Sequence, residues 1–341
     1  MATTLPTNRL TGYCLPMYAI SLMSPSFKRP LDAIEAGDRP APTAPDGWTV
    51  VDLKAASLNH HDVWNMRGVG VDESWLPCVL GSDGAGVTAA GDEVIIYPLV
   101  ADPARGGGDE TLDPKRRMLS DGIDGTFAEQ VAVPTSCLVP KPKELSWTAA
   151  ACLGTAWLTA YRMLFTTARM QPGETVLVQG AGGGLSTALI ALAKSAGVRV
   201  WVTSRDPEKG RRAVEELGAD AAFGVGERLP RRVEAVMDSV GQATFEHSLK
   251  SLALGGRLGV VGATTGATPP IDLTRVFLSQ IRVLGAALGT PRELALLAEL
   301  CATQRLAPAI EAVHPLTEAA DGIAKMVDGD VFGKVVFDCQ R

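Results

Sequence analysis

The pattern of apolar and polar positions between residues 174 and 209 predicts a strand, a turn, a helix and a second strand. Thr175 to Val178 is a short run of β-branched and apolar residues, and a cluster of glycines follows it. Apolar residues then recur at helical spacing until Gly197, after which Val198 to Val202 forms a second apolar run. This succession is typical of a parallel sheet with a helix packed on it.

The residues before this unit have the pattern of a β-rich domain. Strands are predicted at Met17 to Leu22, Trp48 to Ala56, Gly91 to Pro98 and Gly125 to Pro134. Residues 101–124 are rich in glycine, proline and charge and contain few apolar residues, so we expect a loop there.

After the glycine cluster, strand and helix patterns alternate. Strands are predicted at Ala221 to Phe223, Val233 to Ser239, Arg257 to Val261 and Ile281 to Leu288, and helices at Thr244 to Leu254 and Arg292 to Thr303. Alternation of this kind predicts an α/β, doubly wound parallel sheet with helices on both faces. Ser146 to Met170, just before the glycine cluster, has a helical pattern that is interrupted at Gly154.

The glycine cluster has the composition of a pyrophosphate-binding turn. Its residues are Gly180, Ala181, Gly182, Gly183, Gly184 and Leu185. Glycines let the backbone turn tightly and approach a pyrophosphate, whose charge then meets the free N–H groups of the next helix. Ser186 stands where the last glycine of the fingerprint is expected, and a turn that only packs a strand against a helix is the alternative. We expect a dinucleotide to bind here.

The residues after the second strand indicate which dinucleotide binds. An NAD site places an Asp or Glu there to hold the ribose 2′-hydroxyl, and this carboxylate would repel a 2′-phosphate. The chain instead carries Ser204 and Arg205, with Lys209 in the first turn of the following helix. Both cations are within reach of a phosphate, although surface cations of this kind are often only solvated. The sequence therefore predicts NADP(H) as the cofactor.

Composition limits the classes of partner. The 341 residues suggest about two domains, and a net charge of -6 argues against a surface that binds nucleic acid. No apolar run has the length of a membrane span. Residues 1–16 lack the basic start and the apolar stretch of a secretory signal, so we expect a loose extension on a cytoplasmic protein. The six cysteines are widely spaced and are expected to be buried, reduced thiols.

Several further segments resemble one known family. They are LNHHDVWNMRG at 58–68, LGSDGAG at 80–86, DGTFAEQVAVP at 124–134, TAWLTAYRML at 155–164, ELGAD at 216–220 and FGKVVF at 332–337. With the glycine turn and the run GGRLGVVGATTG, they make the chain resemble the medium-chain dehydrogenase/reductase superfamily. Within it, the resemblance is to the zinc-independent branch of quinone oxidoreductases and enoyl reductases.

This resemblance implies a division of the chain into two domains. Residues 17–145 and 289–341 would form a β-rich, GroES-like catalytic domain, and residues 146–288 would form a Rossmann domain inserted into it. The active site would lie in the cleft between the two. The family also implies a homodimer in which Ile281 to Leu288 pairs with its copy.

The resemblance further implies roles for individual residues. Asn59 would lie beside the nicotinamide, Asp62 and Arg67 would shape the cleft wall, and Trp64 stands where quinone-reducing relatives carry a tyrosine. An ion pair between Asp62 and Arg67, and a core position for Trp64, are the structural alternatives. The other implied residues are Thr155 at the catalytic centre and Thr159, Gly262, Ala263, Thr264 and Lys334 around the cofactor.

We expect no metal ion. Zinc-dependent relatives bind a catalytic zinc through a Cys, a His-Glu pair and a second Cys, and those positions here hold Asn59, Ser82, Asp83 and Thr155. Neither an asparagine nor a threonine is a competent zinc ligand, and residues 101–124 lack the four cysteines of a structural site. His60 and His61, interpreted as strand neighbours, are expected to be one buried and one exposed.

Together these features predict a metal-free oxidoreductase that uses NADPH. Without a Lewis acid, hydride transfer needs an already electrophilic carbon, such as that of a quinone or an α,β-unsaturated carbonyl. Because Trp64 leaves no tyrosine hydroxyl there, water or a ribose hydroxyl would supply the proton. Three alternatives are an NADP(H)-binding redox sensor without turnover, a zinc-less alcohol dehydrogenase, and an enoyl reductase specific to one pathway.

Overall fold

The computed structural model of the protein describes residues 16–340. The extension expected at residues 1–16 lies outside this range apart from Pro16, which begins the first strand. Within the range the chain forms four β-sheets, of which two are large. One large sheet belongs to the β-rich part of the chain and the other follows the glycine turn.

The β-rich part contains ten strands and the first helix. Strands β1 to β10 are Pro16–Leu22, Ile34–Pro40, Trp48–Ser57, Cys78–Val79, Asp83–Thr88, Glu93–Ile96, Leu99–Val100, Arg117–Met118, Gln130–Pro134 and Leu138–Pro140. Helix α1 (His60–Met66) follows β3. Strands β2, β1 and β4 form a small antiparallel sheet. Strand β8 lies inside the segment 101–124 that was expected to be a loop, and it pairs with β7 just before that segment.

The seven-stranded sheet is completed by the C-terminal end of the chain. Its order is β10-β6-β5-β3-β18-β17, with β9 also paired to β3, where β17 is Ile310–Pro315 and β18 is Lys334–Asp338. Helix α8 (Pro291–Gln304) precedes β17, and α9 (Ala319–Asp328) connects β17 to β18. Strand β3 therefore has β5 on one side and β18 on the other, so that residues distant in sequence meet at its end.

A helical segment leads into the second large sheet. It consists of α2 (Trp147–Ala150) and α3 (Leu158–Tyr161), with π-helical turns at Leu153–Trp157 and Arg162–Thr167. The interruption expected at Gly154 is the first π turn. A Cβ at Gly154 would lie 2.8 Å from Oδ1 of Asp83, so glycine allows the helix to approach that carboxylate.

The second large sheet has six parallel strands in the order β13-β12-β11-β14-β15-β16. Strands β11 to β16 are Thr175–Gln179, Arg199–Ser204, Ala221–Gly224, Val233–Asp238, Leu252–Val260 and Arg282–Gly285. Helices α4 to α7 are Gly184–Ser195, Pro207–Glu215, Phe245–Ser251 and Leu273–Leu278. The strand order reverses between β11 and β14, which is the switch point where doubly wound sheets bind nucleotides. The α/β doubly wound parallel sheet expected from the sequence is therefore present.

Two local predictions were wrong. The helix expected up to Leu254 ends at Ser251, because Leu252 already pairs with Val233 in the parallel sheet. His60 and His61 lie in the first turn of α1 and not in a strand, and neither side chain is buried. Strand β3 stops at Ser57, which leaves Asn59 as the N-cap residue of α1.

Candidate active site

The glycine turn connects β11 to α4 at the switch point of the parallel sheet. Gly180 adopts a φ of +95°, which a residue with a side chain rarely takes. Its N–H donates to Oγ1 of Thr203 at 3.2 Å, and Thr203 donates to Oε1 of Gln179 at 2.7 Å. Helix α4 has no side-chain cap at Gly183, so its first N–H groups are available to an anion. The turn thus fits a pyrophosphate.

A strap formed by residues 329–333 lies against this turn. The Gly333 N–H donates to the Gly182 carbonyl at 2.8 Å, and Gly333 also forms a bridge with Gly183. The Lys209 ammonium, which we expected to reach a 2′-phosphate, donates to the carbonyls of Gly329 at 2.7 Å and Val331 at 3.0 Å. Lys209 therefore connects helix α5 to the strap in this structure.

Ser204 ends strand β12 and Arg205 follows it, at the edge where the nucleotide ribose is expected. The Ser204 hydroxyl donates to the Asp206 carbonyl at 2.6 Å, and the Arg205 side chain is exposed. Asp206 caps α5 by accepting from the Glu208 N–H, so its carboxylate is turned toward its own helix. The arrangement leaves the Arg205 guanidinium accessible to a phosphate.

A buried polar network under the switch point was not predicted. Asp238 ends β14 and accepts from the hydroxyls of Thr244 and Ser248, and Ser248 in turn accepts from Gln179. The amide of Gln179 also donates to Nδ1 of His247 at 3.0 Å. The network ties β11 and β14 to α6. Only the position of Asp238 at the carboxyl end of a strand was a sequence signal for it.

The other expected cofactor contacts surround the same edge. Gly262, Ala263 and Thr264 lie in the loop after β15, and a Cβ at Gly262 would come within 2.6 Å of the Ser239 carbonyl. Thr159 is buried on α3. Ala181 and Leu185 lie in the glycine turn and the first turn of α4.

A buried ion pair lies at the end of β3. The Lys334 ammonium donates to Oδ1 of Asn59 at 2.6 Å and to the Leu58 carbonyl at 2.8 Å, and it lies 3.3 Å from Oδ2 of Asp83. All three side chains are buried. We expected Lys334 to contact the cofactor, whereas its ammonium is directed to these oxygens. The reason is that β18 begins at Lys334 beside β3, opposite the start of β5 at Asp83.

The Lys334 ammonium fixes the orientation of the Asn59 amide. Because an ammonium only donates, the amide oxygen of Asn59 must face it, and Nδ2 faces the other way. Nδ2 donates to Oδ2 of Asp83 at 2.9 Å and to Oγ of Ser82 at 3.2 Å. Ser82 Oγ lies 3.2 Å from the hydroxyl of Thr155, which is half-buried. A chain of hydrogen bonds therefore runs from Lys334 to the surface of the cleft at Thr155.

The four positions that correspond to zinc ligands in relatives do not fit zinc here. They hold Asn59, Ser82, Asp83 and Thr155. An amide, two hydroxyls and one carboxylate replace the thiolates and imidazoles that zinc prefers. The carboxylate of Asp83 is already neutralised by a buried ammonium. Within residues 16–340, no three His, Cys, Asp or Glu side chains are placed to hold a metal ion. Cys152 is buried near this cluster, but burial raises the pKa of its thiol to about 12.

Helix α1 places four of the expected residues around its first two turns. Oδ2 of Asp62 accepts from the Asn59 N–H at 2.8 Å, so Asp62 caps the helix. Burial raises the pKa of Asp62 to about 6. Arg67 lies over the half-buried ring of Trp64, with 5.5 Å between the guanidinium carbon and the ring centroid. The alternative of an Asp62–Arg67 ion pair therefore has no support among the described residues.

Comparisons with known proteins agree with this architecture. Residues 45–143 match the family described as alcohol dehydrogenase GroES-like domain, and residues 184–303 match the family described as zinc-binding dehydrogenase. A solved structure of an NAD-dependent alcohol dehydrogenase is 34% identical, covers 94% of this chain and 99% of its own, and has a TM-score of 0.86.

Two relatives act on thioesters according to their names. The crotonyl-CoA carboxylase/reductase of Cereibacter sphaeroides is 28% identical over 91% of this chain and 84% of its own. The 2-octenoyl-CoA carboxylase reductase CinF, solved with NADP and 2-octenoyl-CoA, is 25% identical over 95% of this chain and 88% of its own, with a TM-score of 0.86. The resemblance inferred from the sequence motifs is thus confirmed, and the chain belongs to the medium-chain dehydrogenase/reductase superfamily of NAD(P)-dependent oxidoreductases.

Proposed function

We propose that the protein is an NADPH-dependent, metal-free reductase of the carbon–carbon double bond in α,β-unsaturated carbonyl compounds. The observation that carries this proposal is the Lys334 ammonium, which satisfies Asn59 and Asp83 where zinc-dependent relatives need metal ligands. When bound, NADPH supplies the hydride. The remaining tasks fall to the side chains of this chain, which must hold the cofactor and stabilise charge on the substrate.

The cofactor contacts follow from the geometry of the parallel sheet. The glycine turn and the first N–H groups of α4 would hold the pyrophosphate, and Arg205 would pair with the 2′-phosphate of NADP. Thr159 and the loop from Gly262 to Thr264 would border the nicotinamide. The NADP bound to CinF supports this choice of cofactor.

Thr155 is the group we assign to the substrate oxygen. Asn59 Nδ2 donates to Ser82, which leaves the Ser82 hydroxyl hydrogen for Thr155 and the Thr155 hydroxyl hydrogen for a ligand. Each donor in this chain points away from Lys334, so the ammonium polarises the whole series toward the cleft. A hydrogen bond from Thr155 would stabilise the negative charge that develops on a carbonyl oxygen when hydride adds to the β-carbon.

We propose an enoyl thioester as the substrate class. The crotonyl-CoA and 2-octenoyl-CoA reductases among the relatives support a thioester over a quinone. A quinone stays the second possibility, since the half-buried ring of Trp64 would stack on either flat acceptor. The cytoplasmic location also stays a prediction; within residues 16–340, no helix is long and apolar enough to cross a membrane.

An acceptor panel tests this function. Chelator-treated protein of measured metal content is mixed with NADPH and, in turn, with crotonyl-CoA, a benzoquinone and a saturated aldehyde. We expect NADPH oxidation with crotonyl-CoA and none with the saturated aldehyde. Thr155→Val should lower kcat by about 10²-fold to 10³-fold, the usual cost of losing one oxyanion donor. Thr148→Val, a half-buried threonine on α2, is the matched control.

We also propose that two copies pair through the edge of the parallel sheet. Strand β16 is the last strand of that sheet, and its Val283 is exposed. Phe277 and Leu278 on the preceding helix α7 are exposed as well. A bare apolar edge of this kind promotes aggregation, and pairing across a two-fold axis covers it.

A further inference from the structure

A histidine–aspartate pair lies beside the candidate active site and has no role in the account above. Nε2 of His61, in the first turn of α1, lies 3.1 Å from Oδ1 of Asp121. Among residues 16–340, His61 is the one histidine in contact with a carboxylate. The loop that carries Asp121 belongs to the segment between β8 and β9, far from α1 in sequence. The fold therefore brings the pair together.

Other contacts fix the position of the Asp121 carboxylate. Nδ2 of Asn65, one turn after His61 on α1, donates to Oδ1 of Asp121 at 3.0 Å and to Oγ of Ser120 at 3.2 Å. Ser120 itself adopts a φ of +72°, and its carbonyl accepts from Nδ2 of Asn65 at 3.3 Å. Asp121 is thus held in place and orients the imidazole ring.

The other ring nitrogen of His61 is available to a ligand. Nε2 lies 3.1 Å from Oδ1 of Asp121 and 3.4 Å from Nδ2 of Asn65, and Nδ1 makes no hydrogen bond within residues 16–340. The His61 side chain is 27% exposed, so part of the ring is open to the solvent or to a bound molecule. A ring held at one nitrogen by a carboxylate and open at the other has the arrangement of a general acid.

His61 lies on the helix that begins at Asn59, a member of the hydrogen-bonded chain that ends at Thr155. His61 lies two residues after Asn59, the N-cap residue that is bound to Lys334 and Asp83. The partial burial of His61 alone would lower its pKa, but the hydrogen bond and charge of Asp121, with the charges of Asp62 and Asp83, raise it above the ordinary value. These three carboxylates come from the loop, from α1 itself and from β5. The three carboxylates therefore favour the protonated form of the ring.

We propose that His61 is the proton donor that completes the reduction, with Asp121 as its positioning residue. This inference rests on the proposed function. Hydride from NADPH, which becomes NADP⁺, forms a C–H bond at the β-carbon, and the π electrons of the double bond move toward the carbonyl oxygen bound by Thr155. The Nδ1–H bond of His61 then breaks, its proton forms a C–H bond at the α-carbon, and the carbonyl is restored. Solvent reprotonates the exposed ring.

The test combines a titration with product analysis. In the NADP-bound protein, an NMR titration of labelled histidines should give His61 a pKa above 6.5, and Asp121→Asn should lower it. The kcat/KM for crotonyl-CoA should fall as pH rises through the pKa of His61. His61→Gln should lower kcat by about 10²-fold to 10⁴-fold and abolish this inflection, with an unchanged Kd for NADPH. In D₂O, the wild-type product should carry deuterium on one face of the α-carbon, and the His61→Gln product on both.

The control variant replaces the neighbouring histidine, His60. His60→Gln, which changes the exposed histidine of the same turn, should keep both the inflection and the facial selectivity. A His61→Gln enzyme that keeps both features would overturn the proton-donor role while leaving the proposed function intact. Silence of the wild-type enzyme with every unsaturated carbonyl would instead contradict the proposed function and this role together.

Discussion

Nζ of Lys334 lies 2.6 Å from Oδ1 of Asn59, although 275 residues separate them in the sequence. The contact forms because β18 and β5 flank β3, and all three strands end or begin at the same point. The ammonium also lies 3.3 Å from Asp83. A buried cation thus occupies the centre of the cluster.

Removal of this cation should destabilise the protein strongly. Lys334→Met leaves the carboxylate of Asp83 buried without a counter-charge, which costs about 3–5 kcal/mol in comparable cases. The double variant Lys334→Met/Asp83→Asn should recover most of that loss, because no uncompensated charge then stays buried. Denaturant unfolding measures all three proteins, and equal losses in the single and double variants would contradict the buried pair as the cause.

Arg205→Glu should change cofactor preference. The variant replaces the exposed guanidinium after β12 by a carboxylate, which repels a 2′-phosphate. The Kd for NADPH should therefore rise by about tenfold or more, and the Kd for NADH should stay within about twofold. Arg199→Glu makes the same change of charge at the other end of β12 and serves as the control. Equal losses for both cofactors in fluorescence titrations would refute the phosphate contact.

The stability of the protein should fall as pH rises from about 4 to about 6 through the titration of Asp62. Burial raises the pKa of this carboxyl to about 6 from an ordinary 3.8. The native state therefore binds more protons than the unfolded chain between these two pH values. The stabilisation is fully present below about pH 4 and is lost above about pH 6. The loss is about 3 kcal/mol at most.

Asp62→Asn isolates this contribution. The amide oxygen still accepts from the Asn59 N–H, so the helix cap survives, but the group no longer ionises. The difference in unfolding free energy between wild type and variant should change across pH 4 to 6 and be flat above it. A difference that is constant with pH would show that Asp62 titrates normally.

Val283→Lys should dissociate the proposed dimer. A charge on the edge strand β16 opposes pairing with a second copy, as edge lysines do in monomeric sheet proteins. Sedimentation velocity should then show a monomer for this variant and a dimer for the wild type. Val313→Lys, at a comparably exposed valine on β17, should leave the dimer unchanged. A wild-type monomer at micromolar concentration would rule out the edge contact.

The parts of the fold that depend on local patterns were predictable from the sequence. Thr175 to Val178 and the glycine turn were placed correctly because strand, turn and helix patterns are contiguous there. The boundary at Leu252 was missed because pairing with Val233, a contact between distant residues, overrides the local helical pattern. The helical position of His60 and His61 was missed because β3 ends abruptly at Ser57.

The arrangement of the site was harder to predict from the sequence than the fold. Motifs identified Asn59, Asp83, Thr155 and Lys334 individually, but nothing local shows that the Lys334 ammonium is directed to Asn59 rather than to a phosphate. That contact is decided by the register of β18 on β3. The His61–Asp121 pair depends likewise on how the loop before β9 folds onto α1.

The most direct test of the central claim is the position of the label after reduction with deuterated NADPH. The substrate is an α,β-unsaturated aldehyde, which has both a carbon–carbon double bond and a carbonyl that could accept the hydride. The protein is first freed of metal and its zinc content is measured. The account predicts deuterium on the β-carbon of a saturated aldehyde, from protein without bound zinc. Deuterium on the carbonyl carbon of an unsaturated alcohol, or activity that needs stoichiometric zinc, would contradict it.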